Sequence, residues 1–180
     1  MLKKNKDPFI DIVIPNYNKG NYLDKAIKSV INQTYNKWKL YIVDDNSNDS
    51  SLKILRKYKK NNKIKIFYLN KNQGPSFCRN LGVSKTSSRF IAFLDSDDFW
   101  PNNKLSSQIN FMNKNNLSFT YTDYKTFYQN SKYKKKYTYS NVPEYFTFKS
   151  FIRNSSINTS TLIIKKDLIK NIKFKNLQKH

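Results

Sequence analysis

The chain has 180 residues, 38% hydrophobic and 16% aromatic, with 34 Lys and Arg against 12 Asp and Glu for a formal charge of +22. That length accommodates one domain, or one domain and part of another, and the apolar content is too high for a disordered chain. The lone cysteine, Cys78, excludes an internal disulfide and a cysteine-rich metal site, and no apolar run approaches the ~20 residues that span a bilayer, so a cytoplasmic chain is expected.

The first element expected is a strand over Phe9 to Ile14, ended by Pro15. Tyr22, Leu23, Ala26, Ile27, Val30 and Ile31 then recur at helical spacing. Leu40 to Val43 repeats the strand signal and stops at Asp44. Asn46 to Ser51 supplies capping residues before a helix with Leu52, Leu55 and Tyr58. A third round runs from Ile64 to Leu69, through the turn Asn72-Gln73-Gly74-Pro75, into a helix with Cys78, Leu81 and Gly82. A fourth runs from Phe90 to Leu94 and past Pro101 to a helix with Leu105, Ile109 and Met112. Four strand-helix rounds predict an α/β fold whose mainly parallel central sheet is flanked by helices. Beyond Leu117 the pattern weakens. Phe119 to Thr122 reads as a strand, Tyr124 to Tyr139 as hairpins or a long loop, Tyr145 to Arg153 as a short helix, Thr161 to Ile164 as a strand, and Asp167 to Lys170 as a turn or short helix.

The positive charge is carried by 30 Lys and only 4 Arg, beside 25 Asn, and Lys, Asn, Ile, Tyr and Phe rise together as in a coding sequence that drifts towards A and T. Lys lacks the planar fork that reads phosphate or base edges in two bonds, so nucleic acid is not the expected partner. An anionic membrane surface stays open, with the chain peripheral at its inner face. Lys132-Tyr133-Lys134-Lys135-Lys136-Tyr137 reads either as a solvated hairpin or as a basic-aromatic track for a polyanion, which would make the chain a non-catalytic binding module.

The scarce carboxylates are clustered. Asp44 and Asp45 follow the second strand, and Asp95, Asp97 and Asp98 follow the fourth. In open α/β sheets the ligand crevice lies outside the carboxyl ends of the strands, so these groups should converge with Pro15-Asn16-Tyr17-Asn18. Asp44 and Asp45 could instead serve as a helix cap and an Asx turn. Two carboxylates ~5 Å apart repel by roughly 3 kcal/mol at an effective dielectric of 20, so Asp95 to Asp98 call for a positive partner. Either Mg²⁺ or Mn²⁺, completed by phosphate oxygens, or a lysine would answer. A metal with a diphosphate implies a nucleotide. Tyr17 could stack on its base, Asp45 could accept from a base N–H, and Arg79 could approach the phosphates or stand solvated on its helix.

Asp11-Ile12-Val13-Ile14-Pro15-Asn16-Tyr17-Asn18, Val43-Asp44-Asp45-Asn46-Ser47-Asn48-Asp49, Gly74-Pro75-Ser76-Phe77-Cys78-Arg79-Asn80 and Phe93-Leu94-Asp95-Ser96-Asp97-Asp98 resemble the successive signature blocks of family 2 glycosyltransferases. The resemblance implies a Rossmann-like GT-A fold, a UDP- or TDP-sugar donor, a saccharide or lipid-linked acceptor, and inversion at the anomeric carbon. It implies that Pro15, Tyr17 and Asn18 belong to the nucleotide site, that Asp45 accepts from the uracil or thymine, and that Asp97 and Asp98 bind the metal in a D-x-D motif. Asp95 would support the motif or the donor sugar. Residues 1–117 would form the nucleotide-sugar half and 118–180 the start of the acceptor-side half. The family's later Glu-Asp pair, whose Asp deprotonates the acceptor, has no counterpart before His180, so the catalytic base is expected beyond the last residue. Asp123, Glu144 and Asp167 read as solvated or capping groups, with Asp123 the nearest substitute, and His180 is a lone terminal imidazole.

Overall fold

A computed structural model describes residues 8–130, 133–140 and 157–175. Strands β1 (Ile10–Asn16), β2 (Trp38–Asp44), β3 (Ile64–Tyr68) and β4 (Phe90–Phe93) alternate with helices α1 (Gly20–Ile31), α2 (Ser51–Tyr58), α3 (Pro75–Lys85) and α4 (Lys104–Lys114). The short β5 (Phe119–Thr120) follows, then β6 (Tyr124–Asn130) and β7 (Tyr133–Ser140), a 3₁₀ turn (Thr159–Thr161), β8 (Ile163–Lys165) and a one-turn helix α5 (Lys166–Ile169). Glu144, His180 and the helix expected over Tyr145 to Arg153 lie outside the described residues.

The main sheet has the order β3-β2-β1-β4-β8-β5. The first four strands are parallel, and β8 runs antiparallel between β4 and β5. The chain steps outward from β1 to β3 and then returns to the other side of β1, which makes the β1/β4 border the switch point where such sheets bind ligands. The stretch from Tyr124 forms the antiparallel hairpin β6–β7.

Both faces of the sheet are covered, so its strands are apolar runs. Ile10, Ile12 and Ile14 of β1 share one core with Leu23, Ala26, Ile27 and Val30 of α1, Leu55 of α2, and Leu105, Ile109 and Met112 of α4. Val13, Tyr41, Ile91 and Phe93 face the other side, against Val83 of α3 and Leu162, Ile169 and Phe174. The period of two along β1 thus separates the layers. Asp11, which breaks the first apolar run, is fully buried, and its Oδ2 accepts the N–H groups of Ser87 and Ser88 at 2.7 Å. It fastens the α3–β4 connection at the amino ends of β1 and β4, opposite the carboxyl ends where the switch point opens.

Candidate functional site

At the carboxyl end of β1, the loop to α1 is held by side chains from the neighbouring loop. Asn16 donates to Asp44 Oδ1 at 2.7 Å, and Ser47 donates its hydroxyl to the same oxygen at 2.7 Å and its N–H to Oδ2 at 3.1 Å. Asn18 and Asn46 take positive φ angles of 51° and 62°, a region that asparagine tolerates better than most residues. Asn18 N–H donates to Ser47 Oγ, and its Oδ1 accepts from Asn48 N–H at 2.8 Å. Asp44 is therefore the buried hub of an Asx-type loop. Asn18, expected in the nucleotide site, joins the two loops and is not among the residues that line the cleft.

Asp45 has a different task. Its two oxygens accept the N–H groups of Gln73 and Gly74, each at 2.8 Å, so the carboxylate fixes the turn that opens α3. Gly74 has φ 86°, which a side chain would strain, and Pro75 is then preset as the first helical residue. This turn sets the position of Arg79 one helical turn later.

After β4 the three carboxylates have separate partners. Arg79 lies 2.5 Å from Asp95 Oδ1, and Thr159 donates to Asp95 Oδ2 at 3.1 Å. Lys19 Nζ lies 2.8 Å from Asp97, a pair whose side chains are 43% and 42% exposed. Ser160 donates to Asp98 Oδ2 at 2.5 Å and accepts the Asp95 N–H at 3.0 Å, while its carbonyl takes the Trp100 indole N–H at 2.7 Å. Burial pushes the Asp98 carboxyl above the usual aspartate value, with a smaller contribution from the charges of Asp95 and Asp97 and opposition from the Ser160 hydrogen bond. The bond to Asp97 raises the Lys19 ammonium above the ordinary lysine value.

These loops enclose an open cleft of about 380 Å³. Pro15, Tyr17 and Lys19 line it from the end of β1, Asp45 from β2, Gly74 and Arg79 from the start of α3, and Asp95 and Asp97 from β4. Of the residues expected in the site, Pro15, Tyr17, Asp45, Arg79, Asp95 and Asp97 line this cleft together; Asn18, which is exposed, and Asp98, which is partly exposed, are not among its lining residues. Half of Tyr17 is exposed. Cys78 also faces the cleft, but burial and then the Asp45 carboxylate push its thiol up to about 12, which keeps it protonated. Among the described residues no group of three or more His, Cys, Asp and Glu is gathered as a metal cage. No described helix is long and apolar enough to cross a membrane.

Three contributors, Lys19, Thr159 and Ser160, were not named from the sequence. Lys19 directly follows the Pro15-to-Asn18 block, and a cation at that strand end opposite an acidic cluster was the available signal. Thr159 and Ser160 lie in the run Asn158-Thr159-Ser160-Thr161, whose hydroxyls precede a strand that pairs with β4. Asp123 follows β5, which runs parallel to β4, so the chain leaves both strands at the same edge of the sheet; its side chain is exposed.

Comparison with known proteins agrees with this geometry. The family model described as glycosyl transferase family 2 matches residues 11–172. Over 175 residues the chain is 31% identical to TuaG of Bacillus subtilis (strain 168), a provisionally named teichuronic acid biosynthesis glycosyltransferase, covering 97% of this chain and 69% of that one. Over 169 residues it is 35% identical to the UDP-Glc:alpha-D-GlcNAc-diphosphoundecaprenol beta-1,3-glucosyltransferase WfgD of Escherichia coli, covering 93% and 64%. Among solved structures, S. aureus TarS 1-349 in complex with UDP-GlcNAc matches with a TM-score of 0.70 at 22% identity, over 91% of this chain and 47% of that one. The mannosyltransferase PcManGT from Pyrobaculum calidifontis, in complex with GDP-Man and Mn²⁺, matches with a TM-score of 0.69 at 12% identity, over 93% and 47%. These two likenesses are of fold, and the fold is GT-A. The chain spans about two thirds of the length of these curated relatives and about half of these solved chains.

Proposed function

The chain belongs to glycosyl transferase family 2, and from that premise we propose that its cleft binds a UDP- or TDP-sugar for transfer, with inversion, to a saccharide or lipid-linked acceptor in cell-surface polysaccharide assembly. The observation that carries this reading is the joining, in one cleft at the switch point, of a half-exposed Tyr17 ring and the Asp45 carboxylate with the Arg79–Asp95 and Lys19–Asp97 pairs. A nucleotide needs both kinds of contact. Tyr17 offers a face for the base, and Asp45, whose carboxylate keeps acceptor capacity beyond the turn N–H groups and the Cys78 thiol, offers an acceptor for a base N–H. Asp95, held from two sides by Arg79 and Thr159, keeps the acidic loop in place. Residues 1–117 would supply this donor half, and 118–180 would begin the acceptor side.

Asp97 and Asp98 fit a divalent ion in their donor chemistry: adjacent carboxylates, hard oxygen ligands, and at Asp97 a position already occupied by a cation, the Lys19 ammonium. Mg²⁺ or Mn²⁺ held there would take up charge that develops on the departing diphosphate. The names of WfgD, with its diphosphoundecaprenol acceptor, and of TuaG, with teichuronic acid, support the acceptor class.

Calorimetric titration of UDP tests the reading. UDP is expected to bind in Mn²⁺ or Mg²⁺, to lose affinity at least about tenfold in EDTA, since charge-assisted contacts are worth roughly 1.5–3 kcal/mol, and to lose its metal response in Asp98→Ala. Equal affinity with and without EDTA would remove the metal assignment. Absence of UDP binding both with the metal and in EDTA would remove the assignment of a UDP-sugar donor.

A further inference from the structure

The three carboxylates after β4 differ in how firmly they are held, and that difference assigns a role to Lys19. Asp95 is committed: Arg79 reaches it from a side chain only 13% exposed, and Thr159 completes its second oxygen. Asp98 is tied to Ser160. Asp97 has a partner of another kind, because both it and Lys19 are more than two-fifths exposed and their pair stands in the wall of the cleft. Solvent-exposed ion pairs are weak and readily exchanged, and a lysine stem can swing through its rotamers while its backbone stays fixed. The Lys19 backbone is fixed, since its carbonyl accepts the N–H groups of Tyr22 and Leu23 at 2.9 Å at the start of α1.

We infer that Lys19 is the resident cation of the donor cleft, which neutralises Asp97 until a divalent ion takes that carboxylate and then passes to the diphosphate. The inference rests on the donor-binding reading above. A divalent ion on Asp97 repels an ammonium that was 2.8 Å from the same carboxylate, so the two cations exclude each other there. The displaced ammonium remains anchored in the cleft that receives the anion. Lys19 therefore acts in opposite senses on two ligands: it competes with the metal and assists the nucleotide. A lysine that only shaped the loop would act on both in the same sense.

The test measures Mn²⁺ alone, by the electron paramagnetic resonance signal of the free ion, and UDP at saturating Mn²⁺, by calorimetry, in the unaltered chain, Lys19→Gln and Lys19→Arg. Lys19→Gln is expected to bind Mn²⁺ about two- to fivefold more tightly, the range expected when an exposed competing pair is removed. The same variant should bind UDP about three- to tenfold more weakly, as for loss of one charge-assisted contact in a solvated site. Lys19→Arg, which keeps the charge, should stay within about twofold on both. Weakening of both ligands by Lys19→Gln, no change in either, or tighter Mn²⁺ with unchanged UDP overturns the inference, while metal-dependent UDP binding by the unaltered chain would leave the donor reading standing. Absence of metal-dependent UDP binding by the unaltered chain would overturn both.

Discussion

Asp45 has two demands on one carboxylate, and they can be separated. Removing it takes the acceptor from the part-buried N–H groups of Gln73 and Gly74, and since a fully buried unpaired donor costs about 1–3 kcal/mol and these are partly open to water, Asp45→Ala should lose roughly 1–2 kcal/mol of stability by urea denaturation. If Asp45 also meets the base, the same variant loses more affinity for UDP than for inorganic diphosphate in parallel titrations; equal losses would leave it only the turn. Asp98 makes a prediction in pH. Burial raises its folded-state pKa above the unfolded value, so the folded chain takes up this proton first as pH falls, and the charged form costs stability at neutral pH. In ligand-free protein Asp98→Asn should therefore melt higher than the unaltered chain at pH 7. The gap should close as pH drops through the raised pKa towards the ordinary aspartate range, because both side chains are then neutral. A melting difference that grows on acidification would contradict the cause given for the shift.

At the scale of elements, the cleft depends on how closely α3 lies on β1. A Cβ added to Gly82 would sit 2.4 Å from Val13 Cγ1, a buried β-branched side chain in a strand with little room to yield. Gly82→Ala gains roughly 0.5–1 kcal/mol in helix propensity but forces overpacking that typically costs about 1–3 kcal/mol, so a net loss of about 0–2.5 kcal/mol is expected in denaturation. Val13→Ala in the same chain should restore the spacing, read as a recovery of UDP affinity. Gln33 joins another pair of elements: its amide donates to the Ser29 and Pro101 carbonyls, and its Oε1 accepts the Leu105 N–H in the first turn of α4. The four strand-helix rounds were legible because their signals are local: short apolar runs, an apolar period of about 3.6, Pro75 at the start of α3 and carboxylates at strand ends; Pro15, expected to end the first strand, lies within β1, which continues to Asn16. The edge of the sheet was less so. Phe119 to Thr122 and Thr161 to Ile164 read as strands, but β5 has two residues and β8 three, and the position of β8 between β4 and β5 follows from pairing over more than 70 residues. The site divides along the same line. The acidic and Pro15-to-Asn18 blocks announce themselves by composition, whereas the attachment of Lys19 to Asp97 and of Ser160 to Asp98 is fixed only when distant loops meet.

The whole molecule carries a formal charge of +22, and so large an excess of one sign repels itself when the chain folds. Salt shortens that repulsion to a Debye length of about 8 Å at 0.15 M, so added NaCl should raise the melting temperature of the ligand-free chain, and a flat or falling response would contradict net repulsion as the dominant electrostatic effect. The same sheet edge has a consequence in time. β8 lies between β4 and β5, and the 3₁₀ turn just before it supplies the hydroxyls that hold Asp95 and Asp98. A chain emerging from the ribosome to residue 117 can already assemble its four parallel strands, because each pairs with one made earlier. Its acidic loop still lacks Thr159 and Ser160, and β5 has no strand beside it until Ile163 to Lys165 arrive. During synthesis the cleft should thus be the last part of this sheet to be completed: the carboxylates after β4 are made early and meet Thr159 and Ser160 more than 60 residues later.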